Sequence, residues 1–173
     1  MEPFGCQMNE LDSELVSGSL RAMGYEFVDS REGADVVLYN TCSVREQAED
    51  KVIGRVGEFK RIKQKNPDLV LGILGCMAER DGGEMLKRFP QIDLMCGPGE
   101  LDKVPHLIDN AVKTGRPQTA LQGNTTRRSG TLAAAEDRLE LLDLARSTAP
   151  TDHGASAYVR ITRGCNKFCT YCV

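Results

Sequence analysis

An α/β protein is expected here, built on a parallel, doubly wound sheet with helices on both faces. Two patterns lead to it. Short β-rich runs alternate with helix-periodic segments from residue 1 to about 115. Each run is apolar enough to read as a buried strand. Such alternation calls for crossover helices, which make successive strands parallel. A flavodoxin-like strand order fits best.

The elements follow in turn. Met1–Gly5 is the first strand. It is short for a central strand, which normally runs about five or six residues, and so reads as clipped from a longer chain. Leu11, Leu15, Leu20 and Met23 then share one helix face, with Asn9 as the expected N-cap and Gly24 as the stop. Tyr25–Val28 and Val36–Tyr39 are the next strands. Val44, Ala48, Val52, Val56, Phe59 and Ile62 form a long helical stripe, ended by Asn66-Pro67. Leu69–Leu74 is a strand, and Ala78–Phe89 a weaker helix interrupted by Gly82-Gly83. Ile92–Met95 is a strand. Leu101, Val104, Leu107, Ile108, Ala111 and Val112 make a last stripe, closed by Gly115 and Pro117. The first domain is thus expected over residues 1–117.

Residues 118–156 read as a linker, with a turn-rich polar stretch at Gln122–Gly130 and one short helix at Leu132–Arg146. Ala157–Thr162 alternates like the opening strand of a second domain, 157–173, cut off soon after it begins. A lone strand is not stable by itself.

At 173 residues the chain can bury one good core and carry a tail. Its net charge of −3 does not suggest a nucleic-acid-binding domain, which usually carries a basic stripe. Lys60, Arg61, Lys63 and Lys65 cluster on one helix, but with acids interspersed they read as a solvated face. No run approaches the length of a membrane span, and no secretory signal opens the chain. Seven cysteines then imply a reducing compartment, the cytoplasm, with thiols kept for metal.

Six of those cysteines form two groups. Cys165, Cys169 and Cys172 stand at x3 and x2 spacing. Three such thiols can reach three irons of a cubane cluster, whereas four would close it. The open position is what distinguishes a catalytic metal site from a structural one. Zinc and a thiol–disulfide pair are the competing readings of CxxC spacing. Zinc wants a fourth ligand, and the histidines are only His106 and His153. Cys6, Cys42 and Cys76 are linked by context. Each follows an expected strand and precedes an expected helix, at the edge where open α/β sheets hold ligands. Helix amino termini also favour thiolate. Taken singly, each could be a buried small hydrophobe. Cys96 is expected in the core or at its lip.

Four stretches together carry a family likeness: Gly5-Cys6-Gln7-Met8-Asn9, Asn40-Thr41-Cys42-Ser43-Val44-Arg45-Glu46, Gly75-Cys76-Met77-Ala78, and Arg163 through Cys172. They resemble the radical S-adenosylmethionine methylthiotransferases, closest to the MiaB type, the tRNA-2-methylthio-N6-dimethylallyladenosine synthases. The resemblance implies an auxiliary [4Fe–4S] cluster on Cys6, Cys42 and Cys76. It implies a second, radical-generating [4Fe–4S] cluster on Cys165, Cys169 and Cys172, whose open iron binds S-adenosylmethionine, with Tyr171 against the adenine. The implied reaction adds a methylthio group to adenosine C2 beside the tRNA anticodon. The cofactors carry the hard step. The implied partners are a tRNA anticodon stem-loop and a reductant protein, and a monomer is expected. Family members continue into a catalytic barrel and an RNA-binding domain, so this chain is expected to be an amino-terminal fragment without turnover of its own. Two other readings stay open: a stand-alone iron–sulfur carrier or electron-transfer module, and a zinc-stabilised interaction domain.

Overall fold

In the computed structural model, residues 1–43, 46–122, 158, 159 and 161 are described. They contain five parallel strands: β1 (Glu2–Phe4), β2 (Val36–Thr41), β3 (Val70–Gly75), β4 (Leu94–Cys96) and β5 (Gln118–Ala120), hydrogen-bonded in that order. The helices are α1 (Gln7–Ala22), α2 (Glu46–Lys65), α3 (Cys76–Arg88) and α4 (Val104–Thr114).

The sheet is covered on both faces. On one side Val16 and Leu20 of α1 and Leu107, Ile108 and Ala111 of α4 pack with Leu38, Val70, Leu74 and Leu94. On the other, Val52, Val56 and Phe59 of α2 and Met77, Ala78 and Met85 of α3 pack with Val37, Tyr39, Leu71, Ile73 and Met95. Neighbouring strand residues alternate between these two cores, as strand geometry requires, and both cores are buried. That is why the strands read as unbroken apolar runs. Phe4, Tyr39 and Phe59 stack edge to face, with centroids 5.3 and 5.8 Å apart, and tie β1 and β2 to α2.

The doubly wound class is therefore as expected, with differences in detail. A flavodoxin-like order would set Tyr25–Val28 outside β1. No strand forms there, because the segment is largely solvent-exposed and lacks a buried face. Gln118–Ala120, expected as linker, instead pairs with β4. Its three residues are too few to show a period, and the pairing with β4 supplies what local sequence does not. Gly82 does not break α3: a side chain there would meet Leu121 at 2.5 Å, so the glycine admits close packing. Met23 and Val112, assigned to buried stripes, are 57% and 64% exposed. Met23 caps α1 beyond its last turn. Val112 points one position away from buried Ala111 on a narrow stripe. Of the strand expected at Ala157–Thr162, the described Tyr158, Val159 and Ile161 are not in a strand. Val44 and the helix expected at Leu132–Arg146 lie outside the described residues.

Candidate metal centre

Strand register puts three cysteines at one edge. Phe4 pairs with Thr41, and Thr41 with Gly75, so these residues form one row across β1, β2 and β3. Cys42 and Cys76 come one residue after that row and Cys6 two residues after it. Because the strands are parallel, all three leave the sheet at its carboxyl edge. Neighbouring strands stand about 4.8 Å apart, so three turns share a narrow rim.

Each turn is locally specified. Cys6 is the N-cap of α1, not Asn9 as expected: the helix starts at Gln7, and Asn9 reaches back from its first turn. Asn9 Oδ1 accepts the Cys6 backbone N–H at 3.2 Å and the thiol at 3.3 Å. Cys42 is 2% exposed. A side chain on Gly5 would come within 2.5 Å of the Cys42 Cβ, so the first and second turns are in contact. Cys76 opens α3 directly after Gly75, whose φ of +90° is unfavourable for any residue with a Cβ. A Cβ there would also lie 2.4 Å from the Thr41 carbonyl oxygen. The second and third turns thus touch as well.

The other two thiols bear on Cys76. Burial pushes the Cys76 thiol above its ordinary range, and the neighbouring Cys42 and then Cys6 push it further, while a hydrogen bond from the Ser43 backbone N–H pulls the other way. None of the three is in a disulfide, and Cys6 and Cys76 are half-buried. Among the described residues no three His, Cys, Asp or Glu side chains surround one metal-ion position. A single ion would need every sulfur about 2.3 Å away. A cubane offers each thiolate a separate iron, and so suits sulfurs spread wider than one ion allows.

A buried polar cluster lies beneath the rim. Asn9 Nδ2 donates to the Thr41 carbonyl at 2.8 Å and to Asn40 Oδ1 at 3.2 Å. Asn40 Nδ2 donates to the Asn9 carbonyl at 2.8 Å and to Ser13 Oγ at 3.1 Å. Thr41 Oγ1 donates to the Leu74 carbonyl at 2.6 Å. The sequence marked Asn40 and Thr41 only as part of a family-like stretch, and Ser13 not at all. The available signal was two polar residues ending the otherwise apolar β2, since buried polar groups persist only when partnered.

Cys96 is not part of the rim. It lies inside β4, fully buried, and its thiol donates to the Glu100 carbonyl at 3.1 Å. A cleft of about 480 Å³ opens beside Gly5, between β1 and the first turn of α2. A larger cavity of about 660 Å³ lies by the starts of β1 and β2 and touches none of the three cysteines. Cys165, Cys169, Tyr171 and Cys172 lie outside the described residues. No helix among the described residues is long and apolar enough to cross a membrane.

A protein-family model described as "Uncharacterized protein family UPF0004" matches residues 1–97. Curated relatives match over the whole chain. Those from Rhodopirellula baltica, Ralstonia nicotianae and Aquifex aeolicus are 40%, 41% and 39% identical to it. Each is named tRNA-2-methylthio-N(6)-dimethylallyladenosine synthase. The match covers 100% of this chain but only 36%, 35% and 36% of those relatives, so the chain spans about a third of their length.

Proposed function

This chain belongs to the UPF0004 protein family, and on that premise we propose that it is part of a tRNA methylthiotransferase. The full protein would add a methylthio group to C2 of N6-dimethylallyladenosine next to the anticodon, using S-adenosylmethionine and two [4Fe–4S] clusters. Support comes from the end-to-end likeness to relatives bearing that name. The observation that carries the reading is the row Phe4–Thr41–Gly75, which sends Cys6, Cys42 and Cys76 off one sheet edge.

Cys6, Cys42 and Cys76 would hold the auxiliary cluster. Cys165, Cys169 and Cys172 would hold the second, with Tyr171 against the S-adenosylmethionine adenine. When bound, these groups supply the electron and the sulfur that side-chain acid–base chemistry cannot.

The chain's own part is ligation and shelter. Each thiol must lose its proton to become a ligand, so loading releases protons and is favoured by rising pH. The Ser43 N–H stabilises the Cys76 thiolate, and the start of α3 does the same through its backbone dipole. Cys42 is itself sheltered from water. Domain limits near 1–120 for the sheet and from about 157 for the next unit belong to this proposal. So do a cytoplasmic location, a monomeric state, and tRNA and a reductant protein as partners. With about a third of its relatives' length, the isolated chain is expected to show no turnover.

Anaerobic reconstitution with iron and sulfide tests the reading. The chain should bind both, and Cys42→Ala should lose the iron of one cluster, about half the total. Unchanged iron in Cys42→Ala, or zinc without sulfide in the native chain, would overturn it.

A further inference from the structure

We propose that the Asn9–Asn40 amide pair is the positioning device of the amino-terminal metal centre, fixing the separation of its three thiols before any metal arrives. This rests on Cys6, Cys42 and Cys76 being ligands. The cysteines come from turns far apart in sequence, and their spacing is set only by what joins those turns. One side chain does most of the joining. Asn9 Oδ1 holds the Cys6 backbone, and Asn9 Nδ2 holds the carbonyl of Thr41, which precedes Cys42. The third turn is seated on the same groups: a side chain at Gly75 would meet Asn40 Oδ1 at 2.6 Å as well as the Thr41 carbonyl.

The amide orientation is dictated by its partners. The Cys6 N–H requires an acceptor and the Thr41 carbonyl a donor, so the oxygen of Asn9 must face Cys6 and its nitrogen β2. Asn40 closes the loop by returning two donors, to the Asn9 carbonyl and to Ser13 Oγ. Ser13 Oγ in turn donates to the Asn9 carbonyl at 2.7 Å. Asn9, Ser13 and Asn40 are each under a tenth exposed, so these bonds are sheltered from competing water. A carboxylate in place of either amide has nearly the same shape but no donors. It would set oxygen against the Thr41 carbonyl at position 9, or against the Asn9 carbonyl at position 40. The first and second turns would then be pushed apart at the point where their thiols must converge.

The test uses the whole 173-residue chain with Cys165, Cys169 and Cys172 changed to Ser, so that bound iron reports the first trio alone. Ferrous iron and sulfide are the probes. Iron retention is read against a competing chelator, and the reduced centre by electron paramagnetic resonance. Asn9→Asp and Asn40→Asp should each lower iron affinity about 10–100-fold, the usual effect of losing a group that orients a metal ligand. They should also shift the resonance spectrum. Should those variants fail to fold, Ser13→Ala, which removes only the outer hydroxyl, is the second variant and should weaken retention in the same direction. Folded variants that retain iron like their parent, with an unchanged spectrum, overturn the proposal. A parent that takes up no iron overturns the ligand assignment itself, and this proposal with it.

Discussion

Cys96 and Cys76 show how one residue type takes two fates a few ångströms from the same sheet edge. The Cys96 thiol is buried among the α1 and α4 core residues and donates to a carbonyl. Burial, with Glu100 next, pushes its pKa far above the ordinary 9.0. Unfolded, this thiol would ionise near that ordinary value, while the folded chain keeps its proton. The folded state therefore binds more protons in alkaline solution. The stability it contributes is fully present below the unfolded value and lost as pH rises. Denaturation followed from about pH 8.5 to 10.5 should show falling stability, with one such group accounting for up to about 1.4 kcal/mol per pH unit. Cys96→Ala should flatten that slope. An unchanged slope would mean the thiol is not held protonated. That the residue belongs to the core or its lip was legible in its flank, Gly97-Pro98-Gly99, which differs from the turns of the other three. That Asn9 reaches back to Cys6 instead of starting the helix was not, because N-cap preference alone cannot say which of two nearby residues begins it.

At the level of elements, the junction of β3 and α3 carries the tightest constraint. Gly75 is left-handed and meets the Thr41 carbonyl, so it fixes both the direction of α3 and the departure of Cys76. Gly75→Ala should destabilise the fold by at least about 1 kcal/mol, from backbone strain alone, and should reduce iron bound by the first trio. Equal stability by chemical denaturation would contradict this. On the opposite face, Phe59→Ala should cost about 3–5 kcal/mol, because Phe59 is fully buried and completes the aromatic stack with Tyr39 and Phe4. The long stripe of α2 and the central strands were legible because their apolar spacing is dense. β5 and the unformed strand at Tyr25–Val28 were misread for opposite reasons. Three residues carry no period, whereas three apolar residues in a stretch of four resemble a strand even when most of them stay exposed.

Across the whole molecule, the sheet extends beyond the boundary that composition suggested. β5 adds a fifth strand, and Leu121 packs against the α2 and α3 core and on Gly82 of α3. A chain ending at residue 122 should melt within a few degrees of the full chain. One ending at 117 should melt several degrees lower, since losing about 1 kcal/mol shifts the midpoint by roughly 4–8 °C in a domain of this size. Equal melting temperatures would show that β5 adds nothing. Distant joins also stiffen the frame. The carboxylate of Asp93 pairs with Lys63 of α2 and accepts the Leu71 N–H at 2.7 Å, locking α2 to the sheet. Tyr158 donates its hydroxyl to Glu10 of α1 at 2.6 Å, so chain beyond the expected linker returns to the helix that Cys6 caps.

By itself the sequence determined the α/β class and the sites of the main strands and helices, because apolar periodicity is a local property of the chain. It also determined which thiols stand at turns between strand and helix, since that follows from neighbours one or two residues away. Only the tertiary structure decided that Phe4, Thr41 and Gly75 share a row, and that two asparagines 31 residues apart join the turns of three cysteines. Register and buried hydrogen bonds depend on which strands pair and how far they slide. Those choices are made by the packing of both cores together, and no window of sequence contains them.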